Sequence, residues 1–145
     1  MQRLISLAAL VLFTLSACNS SPEDDRPGQP VKHRQEAFKV LLRAFEPIGT
    51  MLHDESFDAE RLASLNTALA QAREAPWAYF GPDTDYPPSK SRPEVWSQPE
   101  RFEAERQRFF AATDALAAAT GREAVEAAYR EARASCKTCH DAFRR

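Results

Sequence analysis

The sequence predicts an all-α protein with four helices. Apolar residues recur at steps of three and four in four separate segments, which is the spacing of a single buried stripe on a helix. No segment shows the strict alternation of apolar and polar residues that is typical of a half-buried strand. At 145 residues, with 43% hydrophobic and 28% charged residues, the chain has the size and balance of one domain.

Residues 1–17 are predicted to be a signal peptide. A charged start at Arg3 precedes an apolar run over 4–15, which is too short to cross a bilayer comfortably. The run ends in Leu-Ser-Ala-Cys, which resembles the lipobox of bacterial lipoproteins. We therefore expect cleavage before Cys18, lipidation of that cysteine and anchoring to a membrane. An ordinary signal peptide that carries a cysteine there by coincidence is the alternative.

The predicted location is the periplasmic side of the cell envelope. Asn19 follows the lipidated cysteine, as in lipoproteins sent to the outer membrane, so we expect the outer rather than the inner membrane. Residues 18–30 have three prolines and no large apolar side chain, which predicts a disordered tether before a bundle over 31–145. The 19 basic and 21 acidic residues of the chain argue against a nucleic-acid partner.

The first two helices follow the tether. The apolar stripe of the first helix comprises Phe38, Leu41, Phe45, Ile48 and Leu52. Pro47 lies inside this helix, so a kink or local break is expected in its second half. The second helix is predicted to begin after Asp58, which is a good N-cap, and to end before Pro76.

A long connection over 76–97 separates the second and third helices. It holds several prolines, both tryptophans of the chain and two of its three tyrosines. A merely solvated loop of this length would seldom be so aromatic. We therefore expect an ordered segment packed across the end or flank of the bundle.

The third and fourth helices occupy the rest of the chain. Ser97-Gln98-Pro99-Glu100 matches a capping box and predicts the start of the third helix, and Gly121 is placed to end it. The apolar stripe of this helix consists of Phe102, Phe109 and Leu116. The fourth helix is expected from about Arg122 to the C-terminus.

The motif that carries chemistry is Cys136-Lys137-Thr138-Cys139-His140, the C-x-x-C-H pattern of c-type haem attachment. On a helix, two thiols three residues apart lie on the same side, where both reach the vinyl groups of one porphyrin. The next residue then directs its imidazole at the iron. We predict one covalent haem c on Cys136 and Cys139, with His140 as the axial ligand of the iron.

Zinc binding, redox exchange and a structural disulfide fit the motif less well than haem. A zinc site needs two further ligands, and apart from Cys18 the chain offers only His33 and His53, which we expect to be surface residues. A thioredoxin-like redox pair normally belongs to a fold with strands. A structural disulfide between residues three apart on a helix has awkward geometry.

Several segments resemble the cytochrome c′ family. They are Ala134 to Arg145 around the motif, Arg34 to Phe38, Ala75 to Pro82, and Arg92 to Ser97. The resemblance extends over nearly all of 31–145, and a haem motif at the very C-terminus is characteristic of the family. It implies an antiparallel four-helix bundle with up-down-up-down topology, of which cytochrome c′ is a known example.

The resemblance implies that the distal residue, opposite His140, is Phe38. Phenylalanine cannot ligate iron, whereas low-spin relatives have methionine at this position. Met51 is 13 residues further along, which is about 20 Å on a straight helix. We therefore expect five-coordinate, high-spin iron that binds NO and CO, with the ring of Phe38 excluding water and bulky anions. The same ring also fits a simple packing role.

Two arginines are placed near the haem by the resemblance. Arg34 matches an arginine beside a haem propionate, where a charge-assisted pair is plausible, and a solvated arginine is the alternative. Arg144, four residues beyond His140 on the same predicted helical face, matches an arginine beside the proximal histidine. Its alternative role is that of a C-terminal cation that interacts with the helix dipole.

The function expected first is NO binding that buffers or removes nitric oxide at the cell envelope. The second is single-electron transfer to a redox partner protein, and a structural or zinc-binding lipoprotein is a distant third. Catalysis is not indicated, because no nucleophile, base or carboxylate pair stands in a recognisable constellation. Family members often form homodimers through the first two helices, but the sequence adds no evidence of its own.

Overall fold

The computed structural model describes residues 23–54 and 56–145. Five helices are present over these residues: α1 (Pro30–His53), α2 (Ala59–Ala72), the short α3 (Glu94–Ser97), α4 (Pro99–Ala118) and α5 (Arg122–Phe143). The four long helices form the bundle, so the all-α prediction is confirmed. Within the described ranges the only extended pairing is an isolated bridge between Ser91 and Arg144. The predicted signal peptide and Cys18 lie outside these ranges.

No helix of the described part of the chain is both long and apolar enough to cross a membrane.

The core runs along the predicted stripes. Most of the α1 stripe is buried, whereas Phe38 is only half-buried against the core. The side chains buried most completely include Ile48, Met51, Leu69, Leu116 and Val125. Full burial of each large apolar side chain contributes about 1.5–3 kcal/mol, so this interior is the main source of stability.

The local break that was expected at Pro47 is not formed. Helix α1 continues through this residue from Pro30 to His53. Proline removes one backbone donor, and the carbonyl that loses it belongs to Arg43, an exposed residue that water can reach. Packing of the residues on both sides of Pro47 offsets the loss.

Helix α2 begins after Asp58 and ends before Pro76, and α5 begins at Arg122, all as predicted, whereas two other helix ends differ. Asp58 caps α2, where its carboxylate accepts a hydrogen bond from the Arg61 N–H at 2.9 Å. The capping box is wrong, because Ser97 ends α3 and the N-cap of α4 is Gln98, without a side-chain bond. Gly121 does not end α4 but precedes α5, with φ of 77°, a value that favours glycine.

The aromatic connection is ordered, as predicted. Its first part forms a 3₁₀-helix over Ala75–Tyr79 that packs against α1. Both indole N–H groups donate to backbone carbonyls, Trp77 to Arg73 at 2.6 Å and Trp96 to Gly81 at 2.9 Å. These bonds tie the segment to itself and to the end of α2, and Trp77 also packs against the core.

The structure corrects the predicted tether over residues 24–30. Asp24 is 1% exposed, and its carboxylate accepts hydrogen bonds from the N–H groups of Val31 and Lys32, which begin α1. The same carboxylate also accepts from the Tyr86 hydroxyl at 2.9 Å. A charged acceptor at a helix N-terminus and a partner 62 residues away order this segment, which composition alone does not reveal.

Replacement of Asp24 by asparagine is expected to lower the melting temperature at pH 7. Burial raises the pKa of Asp24, but its hydrogen bonds to Lys32, Tyr86, Arg26 and Val31 outweigh burial and lower the pKa below 3.8. The stability from the ionised form is therefore complete above 3.8 and is lost as the pH falls through the lower pKa of the folded protein.

Thermal melts of the wild type and of Asp24→Asn from pH 7 to pH 2 measure this effect. The difference in melting temperature between the wild type and Asp24→Asn should shrink at the acid end of this range, where aspartate and asparagine are both neutral. Asp25→Asn is the matched control, because Asp25 is exposed and should show little effect. A difference for Asp24→Asn that stays constant down to pH 2 would contradict the assignment.

Candidate functional site

The C-x-x-C-H motif lies on the last turns of α5. Cys136 and Cys139 are both free and half-buried, and Cys136 packs against the core. The residues between them, Lys137 and Thr138, are exposed, and so is His140. The two thiols therefore lie on the inward side of the helix, and the imidazole lies at the edge between interior and solvent.

The two thiols are neutral at pH 7. Burial raises the pKa of Cys136 and that of Cys139, the latter to about 11, with the charge of Glu105 adding to the effect on Cys139. Desolvation and then the positive charge of Arg144 lower the pKa of His140. The imidazole is therefore held in its neutral form, which is the form that ligates iron.

An aromatic-lined cavity of about 630 Å³ lies between the connection and α4. Its lining includes Trp77, Phe80, Val95, Trp96, Phe102 and Arg106. The ring of Phe102 contacts that of Phe143 on α5, with centroids 5.2 Å apart. This contact joins the cavity wall to the helix that carries the motif.

Phe38 belongs to the same aromatic group. Its ring lies edge-on to Trp77, with centroids 5.8 Å apart, and edge-on to Phe80 at 6.3 Å. The predicted distal residue is thus in contact with two residues of the cavity wall. Its role towards iron remains a prediction.

Arg34 is not a solvated arginine. It is 3% exposed, and its guanidinium donates to the Tyr79 carbonyl, to the hydroxyl and carbonyl of Thr84 and to the Ser89 hydroxyl, at 2.8–3.3 Å. The guanidinium also lies over the ring of Phe80, 4.6 Å from its centroid. Arg34 therefore fastens the aromatic connection to α1, and its propionate contact remains a prediction.

Arg144 directly follows the last residue of α5 and lies one helical turn beyond His140. Helix α5 ends at Phe143, and Arg144 is extended, with its N–H donating to the His140 carbonyl at 2.9 Å. Backbone contacts to the connection stop the helix there, since the Arg92 N–H donates to the Phe143 carbonyl at 2.8 Å. The effect of the Arg144 charge on the pKa of His140 still places its side chain close to the imidazole.

Sequence reasoning missed Glu105 and the acceptors of Arg34. Thr84 and Ser89 lie 50 and 55 residues from Arg34, and no local pattern shows such a pairing. For Glu105 the sequence does contain a signal. The residue lies three positions after Phe102 and four before Phe109, and at this spacing an apolar side chain is expected. It is 6% exposed.

His33 and His53 are exposed, as predicted. His33 stacks on Tyr79 with ring centroids 5.6 Å apart. Over 23–54 and 56–145, no group of three or more histidine, cysteine, aspartate or glutamate side chains is placed to hold a metal ion.

Comparison with known proteins decides the family. The family model described as cytochrome C′ matches residues 29–144. The chain belongs to the cytochrome c′ family. Proteins of this family carry covalently bound haem c, and this member has the residues for it. Two free inward-facing thiols one helical turn apart and a neutral imidazole beside them fit a covalently attached porphyrin.

The similarity extends to solved structures. The chain is 37% identical over 125 residues to cytochrome c′ of Rubrivivax gelatinosus, covering 82% of this chain and 96% of that protein. The crystal structure of the R. gelatinosus cytochrome c′ has a TM-score of 0.77 to this chain, at 31% identity, and the match covers 85% of this chain and 100% of that one. A nitric oxide complex of a cytochrome c′ variant from Alcaligenes xylosoxidans also has a TM-score of 0.77, at 31% identity. The match covers 85% of this chain and 99% of that one.

Proposed function

We propose that this cytochrome c′ binds NO, and also CO, at a five-coordinate, high-spin haem, and that it buffers or removes nitric oxide at the cell envelope. The observation that carries the proposal is Phe38, a residue that cannot ligate iron, in edge-on contact with Trp77 and Phe80. An open sixth position leaves iron able to bind a small gas, whereas a second strong ligand makes an electron carrier.

The position of Met51 supports an open distal face. Methionine is the ligand that low-spin relatives use, and Met51 is 0% exposed inside the bundle core. It lies 13 residues from Phe38 on the continuous helix α1, about 20 Å along the axis. Met51 is therefore a packing residue in this proposal.

Each residue of the site has a distinct task. Cys136 and Cys139 would hold the porphyrin by thioether bonds, and His140 would ligate the iron from the proximal side. The haem, when bound, supplies the coordination position at which a gas molecule attaches. Phe38 and Trp77 form an apolar wall that excludes water and bulky anions but yields to small uncharged molecules.

The relatives support gas binding. Variants of the cytochrome c′ from Alcaligenes xylosoxidans have been solved with bound nitric oxide and with bound carbon monoxide. The match between the nitric oxide complex and this chain covers 99% of that protein.

Electron transfer is the second candidate function. The exposure of His140, Lys137 and Thr138 favours it, because it brings one side of the attachment site to the protein surface. A redox partner protein that docks there would reach the haem over a short distance.

We also propose that the chain is exported and lipidated at Cys18, with the outer membrane as its anchor. The support is the sequence of the first 19 residues. In this arrangement the ordered segment at Asp24 follows the lipid within a few residues, so the bundle stays close to the membrane surface.

Spectra of the purified haem-loaded protein test the proposal. Ferric and ferrous forms are both expected to be five-coordinate and high-spin, and the ferrous form should bind NO and CO when each is added. The rate of electron exchange with a small mediator, compared with NO affinity, separates the two candidate functions. Low-spin, six-coordinate iron in the resting protein would rule out the leading proposal.

A further inference from the structure

Glu105 is a charged residue in the interior stripe of α4. It is 6% exposed and lies on the helix face that also buries Phe109, Thr113 and Leu116. One carboxylate oxygen accepts a hydrogen bond from the Arg108 guanidinium at 2.6 Å and forms an ion pair with it. The other oxygen, Oε2, is buried without a hydrogen-bond partner. Leaving a buried charged acceptor unpaired is costly, so its place in the interior calls for an explanation.

The helix register places Glu105 beside the haem attachment. Helices α4 and α5 are antiparallel neighbours, and Phe102 faces Phe143 with ring centroids 5.2 Å apart. Glu105 lies three residues after Phe102 on α4. Because the two helices are antiparallel, it is level with the residues three or four positions before Phe143 on α5, which are His140 and Cys139. Cys139 points inward at that level. The effect of the Glu105 charge on the pKa of the Cys139 thiol agrees with this placement.

We propose that Glu105 sets the redox equilibrium of the haem, by holding a buried negative charge beside the Cys139 attachment that favours ferric over ferrous iron. Reduction adds one electron to the iron, so the ferric form carries one more positive charge and is stabilised more by a nearby carboxylate. Glu105 is buried, so its carboxylate lies in a region of low effective dielectric constant, where its charge is screened little.

Arg108 does not cancel this effect. The Arg108 side chain is 67% exposed, whereas that of Glu105 is 8% exposed, so water screens the cation far more than the carboxylate. The haem therefore experiences a net negative charge. This inference depends on haem attachment at Cys139 and is independent of the proposal that the protein binds NO.

Redox titration of the haem-loaded protein with mediators tests the inference. At the potential where half of the wild-type haem is reduced, Glu105→Gln is expected to lower the ferric-to-ferrous ratio about tenfold, which equals about 59 mV for one electron. Glutamine keeps the shape of the side chain and removes its charge. The ferric absorption spectrum should stay the same, because the ligands of the iron are unchanged.

The matched control is Glu100→Gln, which makes the same charge change on an exposed residue of the same helix. The ferric-to-ferrous ratio of Glu100→Gln should stay within about twofold of the wild-type value, since solvent screens the charge that is removed. An equal shift in both variants would show a general charge effect and overturn the assignment, and so would an unchanged ratio in Glu105→Gln.

Arg108→Gln provides a second test if Glu105→Gln loads haem poorly. Removal of the Arg108 charge leaves the Glu105 carboxylate less neutralised. The ferric-to-ferrous ratio should therefore rise, whereas Glu105→Gln should lower it. The shift should be smaller than that in Glu105→Gln because water already screens Arg108, and a shift towards ferrous would contradict the inference. Because potentials are measured without NO, a failure here leaves the gas-binding proposal standing, and the reverse also holds.

Discussion

Replacement of both Cys136 and Cys139 by serine is expected to abolish covalent haem attachment completely. Serine has almost the shape of cysteine, but its hydroxyl forms no thioether bond with a vinyl group. Both positions are half-buried on the inward side of α5, so the small change of atom leaves the surrounding packing in place. The loss should therefore reflect chemistry rather than unfolding.

Denaturing gels stained for haem, followed by a pyridine haemochrome spectrum, measure this loss. Each single serine variant should keep a reduced amount of haem, held by one thioether bond with a shifted absorption band. Thr138→Ala is the control, because Thr138 lies between the two cysteines and is exposed. Covalent haem that survives in the double variant would show that attachment uses other residues.

Replacement of Phe38 by methionine is expected to convert the resting iron from five-coordinate and high-spin to six-coordinate and low-spin. The thioether of methionine is an established axial ligand of haem iron, whereas the phenyl ring offers no donor atom. Methionine is also flexible enough to fill the half-buried place against Trp77 and Phe80. A competing ligand then weakens CO binding, by about tenfold for each 1.4 kcal/mol of iron–sulfur bonding that must be given up.

Absorption and electron paramagnetic resonance spectra of the ferric protein, with a CO titration of the ferrous protein, measure both effects. Phe38→Leu is the matched control: it removes the same ring and adds no ligand, so the iron should remain high-spin. Faster CO association in Phe38→Leu would further show that the ring obstructs the distal face. High-spin iron in Phe38→Met would mean that residue 38 does not lie over the iron.

The arrangement of helices was accessible from the sequence because it depends on periodic patterns. The stripe from Leu41 to Leu52 is buried where its spacing predicts, and Asp58 caps α2 through a bond to a residue three positions away. These are short-range relations within one helix. The motif at Cys136, Cys139 and His140 is also local, and so the family and its cofactor could be inferred from a few neighbouring letters.

The errors at the capping box, at Gly121 and at Pro47 were local, whereas others arose where distant segments meet. Asp24 is ordered by Tyr86, and Arg34 is buried by Thr84 and Ser89. Composition and spacing carry no information on partners 50 or more residues away. The end of α5 at Phe143 is likewise set by backbone bonds to the connection near Arg92.

By itself the sequence determined the helices, the haem-attachment motif and the presence of phenylalanine at position 38, because each depends on residue type and spacing along one helix. Only the tertiary structure decided that Arg34 fastens the aromatic connection and that Glu105 holds a buried, unpaired carboxylate oxygen. The physical reason is that burial and hydrogen bonding depend on which surfaces meet when α4 packs on α5 and the connection packs on α1. The interaction energy of a charge is large only where the local dielectric constant is low, and folding creates that environment.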